Sequence, residues 1–345
     1  MLKELVALKP NQAVLREYED GPVPEGYVRV KVQFGSPKHG TELHMYHGID
    51  PFVNEYFDTD YNLFLPDEKK KEKEFFMGLG NMWVGVITEL GKGVSGFKEG
   101  QRVAGYGHLK NTQTVPAGEL LKMNDGVTWK QAVCYDPAHF ALGGVRDGHV
   151  RLGDAVAVFG LGAIGLMSVQ MARLAGASHI IAADPIEARR NVALKIGADE
   201  VVDSSTEDAG LFIKKATNKR GADVVIETSS VYAALQQAIR GVAYAGNVSV
   251  VGWYKECKGG IHLGREAHFN QPNIIMSRAV SSPNRDYPRW DFGRITDTCW
   301  EMVSKGLFFC EHIVDPVVPF EKSAEAYMEI VDKHPEKSVK LGVEF

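Results

Sequence analysis

The segment "GDAVAVFGLGAIGLMSVQMARLAGA" constrains this chain more than any other. It sets Gly160, Gly162 and Gly165 in a G-x-G-x-x-G pattern, behind a short apolar run and at the start of a helical one. Three physical needs explain that spacing: a tight turn, a backbone that can approach a pyrophosphate, and a helix packed closely on its strand. The phosphates then face the helix start at Ala163 and Ile164, where free N–H groups and the helix dipole favour negative charge. Asp184 closes the next apolar run, nineteen residues after Gly165, where a carboxylate can hydrogen-bond the adenosine ribose hydroxyls. Its charge repels a 2′-phosphate, so NAD is expected rather than NADP. Arg189 is expected near the same ribose, and Thr228 and Gly252 join the expected cofactor-binding set.

The surroundings of the motif support it. Further short apolar runs, "HIIAAD", "ADVVIET" and "NVSVVGW", alternate with amphipathic stretches such as "IEARRNVALKIGA" and "VYAALQQAIRGVA". Apolar runs of this kind suit strands buried on both faces of a parallel sheet, and the alternation predicts a doubly wound Rossmann α/β domain over residues 151–284. Residues 1–150 have another texture. In "YVRVKVQFG" (27–35), Val28, Val30 and Val32 alternate with Arg29, Lys31 and Gln33, the pattern of a half-buried strand. "WVGVITEL", "QRVAGY" and "GELLKM" predict further strands between glycine-rich turns. "WDFGRITDTCWEMVSKG" and "KSAEAYMEIVDK" read as helices, and "SVKLGVEF" as a closing strand.

With 345 residues there is room for two such domains. A net charge of -5 without a basic tract argues against a nucleic-acid partner. The mixed-sign run "DEKKKEKE" (67–74) reads as a solvated face. No apolar run is long enough to span a bilayer, so no membrane partner is expected. "MLKELVALK" lacks the apolar core of a signal peptide. The four cysteines are scattered, which fits neither a disulfide framework nor a cysteine-rich zinc lobe, and a cytoplasmic protein is expected.

A glycine fingerprint in the second half behind a β-rich first half resembles the medium-chain dehydrogenase/reductases, of the zinc-type alcohol and polyol dehydrogenase kind. The similarity runs from "GYVRVKV" to "VPFEKSAEAYMEIVDK". It implies a GroES-like catalytic domain at 1–150, completed by 285–345, and a homodimer or homotetramer acting on a small-molecule substrate. In zinc members of that family a Cys-x-Thr/Ser-Asp-x-His pattern follows the "VKV" strand. Its cysteine binds zinc, its Thr or Ser passes the substrate proton, and its His continues the relay through the cofactor ribose. Here the stretch reads His39-Gly40-Thr41-Glu42-Leu43-His44. Thr41 and His44 match the relay, Glu42 stands where the family has aspartate, and His39 stands where it has the ligand cysteine. His47 matches nothing in the pattern and reads as a loop residue.

The other ligand positions of the zinc members have also changed. "GNMWVGVI" sets Asn81 and Met82 where the family carries a ligand histidine and a glutamate. Asn is a poor zinc ligand, and the methionine thioether is soft and neutral. Asp136, in "CYDPAHFA", stands where polyol-type members have a ligand glutamate, with His139 nearby. "GYGHLKNTQTVPAGE" has no cysteine where the structural zinc lobe would lie. Catalytic zinc normally needs three protein ligands. His39 and Asp136 would be its remaining ligands, supplemented by Glu42 or His139, and a metal-free site is expected. His39 would then serve as general acid/base if Asp136 or Glu42 sets its tautomer, the alternative being that both are polar packing at a lost site.

The substrate is indicated by "DPFVNEYFDTDYNLFLPDEKKKEKEFF", whose aromatic and acidic residues suit a sugar, cyclitol or polyol. Arg285, Arg289 and Trp290 either approach the substrate or pack structurally. Three functions stand: an NAD-dependent alcohol/ketone oxidoreductase, a zinc-independent enone or quinone reductase, and a non-catalytic NAD-binding sensor. Retention of Thr41 and His44 favours the first, because enone reduction needs no such pair.

Overall fold

The computed structural model describes residues 1–67, 75–254 and 260–345. Residues 68–74, most of the charge-dense stretch read as a solvated face, lie outside that description. The chain forms two compact units, one built from Met1–Asp125 with Asp315–Phe345 and the other from Gly126–Val314.

In the first unit, the strand Tyr27–Ser36 buries Val28, Val30 and Val32 while Lys31 and Gln33 stay exposed, the two-residue period expected of it. It pairs antiparallel with Met82–Leu90, Thr112–Pro116 and Lys340–Glu344. The valines pack with Trp83, Ile87 and Val103 in one hydrophobic cluster. "GELLKM" yields only the two-residue strand Leu121–Lys122 after a short 3-10 turn. The segment expected to replace the zinc lobe supplies the strand Thr112–Pro116, and His108 within it bonds Glu4 at 2.8 Å.

In the second unit, six parallel strands carry the alternation read from the sequence. They begin Ala155–Phe159, His179–Ala183, Glu200–Val202 and Ala222–Glu227, and end with Val242–Val250 and Asn273–Met276. Numbered along the chain, their order in the sheet is third, second, first, fourth, fifth, sixth. The order reverses between Ala155–Phe159 and Ala222–Glu227, and in such sheets ligands bind outside the carboxyl ends at that switch point. Ala157, Phe159, Ile181, Ala183, Val225 and Val248 pack with Ile213, Leu235 and Ile239 from the helices Ala209–Ala216 and Tyr232–Gly241.

The unit boundaries differ from the expected 150/151 and 284/285 because two helices side with the parallel sheet. Tyr135–Asp147 packs on Ala163–Leu174 and on Phe292–Ser304. A Cβ at Gly144 would sit 2.6 Å from Val251 Cγ2, and the Ser249 hydroxyl donates to the Gly144 carbonyl at 2.8 Å. That approach binds the helix to the sheet. Among the described residues, no helix is long and apolar enough to cross a membrane.

Candidate active site

The relay stretch begins where the strand Tyr27–Ser36 ends. Three contacts from the strand Lys340–Glu344 hold its first residues. The Ser36 hydroxyl donates to the Leu341 carbonyl at 2.6 Å, Lys340 Nζ donates to the Pro37 carbonyl at 2.9 Å, and the Leu341 amide donates to His39 Nε2 at 3.0 Å. An imidazole nitrogen that accepts an N–H carries no proton, so the proton of the neutral His39 ring lies on Nδ1. The expected tautomer-setting partner was a carboxylate. The backbone of Leu341 does this at Nε2, a contact 302 residues distant in sequence.

Beyond Gly40 the chain enters the short helix Thr41–Tyr46. At helical spacing Thr41 and His44 lie three apart on one side, while Glu42 and Tyr46 lie four apart on another. Glu42 and Tyr46 turn into the core, where the rings of Tyr46 and Tyr327 meet edge-on at 5.0 Å. His47 pairs with Asp332 at 2.7 Å, so it anchors the helix end and is more than a loop residue.

Glu42 Oε2 accepts the amides of Lys38 at 3.3 Å and Gly80 at 3.2 Å. It thereby ties the relay stretch to the Gly80-Asn81-Met82 turn. Burial pushes its carboxyl up to about 7, against the opposing pull of the Tyr327 hydroxyl, the two amides and the Lys340 charge. In turn, burial and the Glu42 charge raise the Tyr327 hydroxyl well above its usual range.

The donor set of this turn does not fit zinc. Met82 is wholly buried and offers only a thioether, and Asn81 offers only a neutral amide. Among the described residues, no three His, Cys, Asp or Glu side chains are grouped to hold a metal ion. Asp136 belongs to the second unit, in the first turn of Tyr135–Asp147, whereas His39 belongs to the first. Asp136 and His139 are both buried, and the Tyr135 and His139 rings stack 6.0 Å apart. Burial, helped by the Asp136 charge, raises the Cys299 thiol above its usual range.

The glycine loop fits a dinucleotide. Gly160 has φ +82°, and a Cβ at Gly165 would lie 1.8 Å from the Gly160 carbonyl oxygen, so neither tolerates a side chain. Gly162 faces open space and begins the helix Ala163–Leu174 without a side-chain cap, leaving first-turn N–H groups for a phosphate. Thr228 donates its hydroxyl to the Gly160 carbonyl at 2.7 Å. A Cβ at Gly252 would lie 2.7 Å from the Ser230 amide, so that glycine keeps two crevice loops close.

Asp184 has a second task here. Its Oδ2 accepts the Leu161 amide at 2.7 Å and its Oδ1 accepts the Ile186 amide at 2.8 Å, so it braces the glycine loop while 3% exposed. Each oxygen keeps a further lone pair for a ribose hydroxyl. Arg190 donates to the Asp184 carbonyl at 2.7 Å and pairs with Asp203 at 3.2 Å.

Sequence reading passed over Arg190 and Glu227. Glu227 ends its strand fully buried and accepts the Ser229 amide at 2.7 Å, the Ser229 hydroxyl and the Tyr254 hydroxyl. Burial raises its carboxyl, and those donors oppose the rise. The signal available was a lone carboxylate closing the apolar run "ADVVIE". Trp290 lies between the Arg146 and Arg294 guanidiniums, 3.7 Å and 4.0 Å from its ring centre, so it packs within the second unit.

A Rossmann-type sheet with this glycine cradle, joined to a β-rich unit made from both ends of the chain, defines an alcohol-dehydrogenase-like oxidoreductase. Residues 163–292 match the family model described as zinc-binding dehydrogenase. The chain is 48% identical over 350 residues to D-guloside 3-dehydrogenase of Escherichia coli (strain K12), covering 100% of both. It is 29% identical over 299 residues to (R,R)-butanediol dehydrogenase of Bacillus subtilis (strain 168), covering 78% of this chain and 81% of that protein. Two crystal structures share the fold. That of 2R,3R-butanediol dehydrogenase from Bacillus subtilis has TM-score 0.78 at 23% identity, over 100% of both chains. That of galactitol-1-phosphate dehydrogenase from Escherichia coli has TM-score 0.78 at 17% identity, over 99% of this chain and 100% of that one. The chain belongs to the zinc-binding dehydrogenase family of medium-chain dehydrogenase/reductases.

Proposed function

We propose that this protein interconverts a secondary hydroxyl and a ketone on a sugar or glycoside, with NAD(H) as cofactor and without catalytic zinc. The 48% identity to a D-guloside 3-dehydrogenase along the whole chain carries the reading. The hairpin Glu55–Asp58 with Leu63–Pro66, which follows the helix Thr41–Tyr46 after a 3-10 turn at Pro51–Val53, supports it. It exposes Tyr56, Phe57, Tyr61 and Phe64, whose flat faces suit the apolar side of a sugar ring, and Asp58 and Asp60 lie beside them to accept hydroxyls.

When bound, the nicotinamide supplies the hydride acceptor. The chain's own residues supply the rest. Gly162 and the helix start hold the pyrophosphate, Asp184 and Arg189 the adenosine ribose, and Thr228 and Gly252 keep the crevice loops in place. Thr41 hydrogen-bonds the substrate hydroxyl, and His44 takes up the proton it loses. His39 takes the place of the family's ligand cysteine as the general acid/base for the reacting oxygen. No step calls on zinc, because Asn81 and Met82 are not its ligands.

Turnover on a panel of glycosides, sugars, polyols and enones, followed at the nicotinamide absorbance, tests the reading. Activity on a glycoside or sugar hydroxyl is the expected result, and turnover of enones alone would transfer the protein to the reductase alternative. Asp184→Ser should narrow the preference for NAD over NADP by about tenfold or more. A native preference for NADP would contradict the role given to Asp184. Purified protein should hold well under one zinc per chain and keep its activity through prolonged chelation. Stoichiometric zinc, with activity restored only by metal, would overturn the metal-free site.

A further inference from the structure

At the amino end of the strand Ala155–Phe159, opposite its glycine loop, the second unit carries a groove of about 460 Å³. Leu142, Val145 and Met171 contribute its apolar floor. Its rim carries Arg146, His149, Arg151 and Arg289 against a single acid, Asp286. That excess of positive charge stands out in a chain whose net charge is -5. We propose that this groove binds the phosphate group of a small phosphorylated molecule, at a site separate from the cofactor cradle.

Helix-end electrostatics accounts for Arg146, which lies in the last turn of Tyr135–Asp147 and is already committed to Asp286 and the Trp290 ring. It does not account for the other two arginines, which lie outside helices. The Arg151 guanidinium makes no hydrogen bond or ion pair among the described residues, and Arg289 reaches Asp286 only at 3.9 Å with its side chain 75% exposed. Two open guanidinium forks next to an apolar floor match a phosphate oxyanion on an organic body.

His149 is the independent observation. It has φ +58° directly after the helix cap Gly148. Its amide donates to the Arg146 carbonyl at 3.0 Å, and the Val150 amide to the Val145 carbonyl at 3.2 Å. These are the two bonds of a Schellman cap, whose left-handed position ordinarily takes glycine or asparagine. A histidine there carries backbone strain that glycine would avoid, and it sets an imidazole on the groove rim. The left-handed backbone at His149 thus adds an imidazole to the three arginines that line the groove.

The test is a calorimetric titration of the full chain with inorganic pyrophosphate, with NADH saturating so that the cradle is filled. Saturable binding is expected, weakened about tenfold or more in the Arg151→Ala/Arg289→Ala double variant. His149→Gly should weaken it about threefold while raising the urea midpoint, because the cap loses its strain. Both arginines are on the surface, and an unchanged urea midpoint in the double variant confirms that its fold is intact. Absence of binding, equal affinity in the double variant, or binding seen only when NADH is left out would each overturn the assignment.

Discussion

Thr41→Ala should lower kcat by about 10²- to 10⁴-fold while NADH affinity changes by no more than about threefold. A hydroxyl that holds the substrate proton acts in the transition state, so its loss appears in kcat and not in cofactor binding. Thr41→Ser retains the oxygen and should restore most of the rate. His44→Gln removes the proton acceptor from the same side of the relay helix and should lose rate over a similar range. Single-turnover measurements with bound NADH separate chemistry from release. If Thr41→Ala turned over at the native rate, the proton would leave by another route and Thr41 would only begin the helix.

Glu42→Gln should be more stable than the native protein at alkaline pH and nearly equal to it in acid. Burial raises the Glu42 carboxyl from 4.5 when unfolded to about 7 when folded. The folded state therefore holds its proton more tightly. The stability tied to that proton is complete below pH 4.5, begins to fall above it, and is lost as pH rises through about 7. At pH well above this the native protein should have lost about 3 kcal/mol relative to acid, a loss that glutamine, neutral throughout, does not share. Glutamine keeps an oxygen for the Lys38 and Gly80 amides. Urea midpoints measured across this range should diverge with rising pH. Parallel curves for the two proteins would show that the Glu42 carboxyl titrates alike in the folded and unfolded states, with no shift from burial.

Most of the second unit was legible because its rules are local. The glycine spacing, the apolar strands and the carboxylate at Asp184 each report on a few neighbouring residues, and the structure places them around one loop. The segment His39–His44 was legible as a motif but not as a geometry. Its contacts come from Lys340, Leu341 and Tyr327, some three hundred residues away, and no periodicity in the segment records them. The helix Tyr135–Asp147 eluded the boundary estimate for a related reason. Its sequence shows that it must be covered, while the partner is fixed by close approach at Gly144. Arg190 and Glu227 were missed because an arginine in a polar helix and a carboxylate at a strand end are ordinary until their partners are seen. Asp184 was read for its ligand, and its brace to two backbone amides appears only in three dimensions.

The first unit is drawn from two stretches of sequence with the second unit between them. During synthesis Gly126–Val314 is complete before the first unit receives the strand Lys340–Glu344. Domains fold as units while the chain elongates, at about 5–20 residues per second, so the nucleotide-binding half can settle early. His39 meanwhile lacks the Leu341 amide that fixes its ring, and Pro37 lacks the Lys340 ammonium. A nascent chain can therefore order its glycine loop seconds before it orders the segment around His39. A chain ending between Val314 and Lys340 would hold the whole second unit and leave His39 without its Leu341 contact.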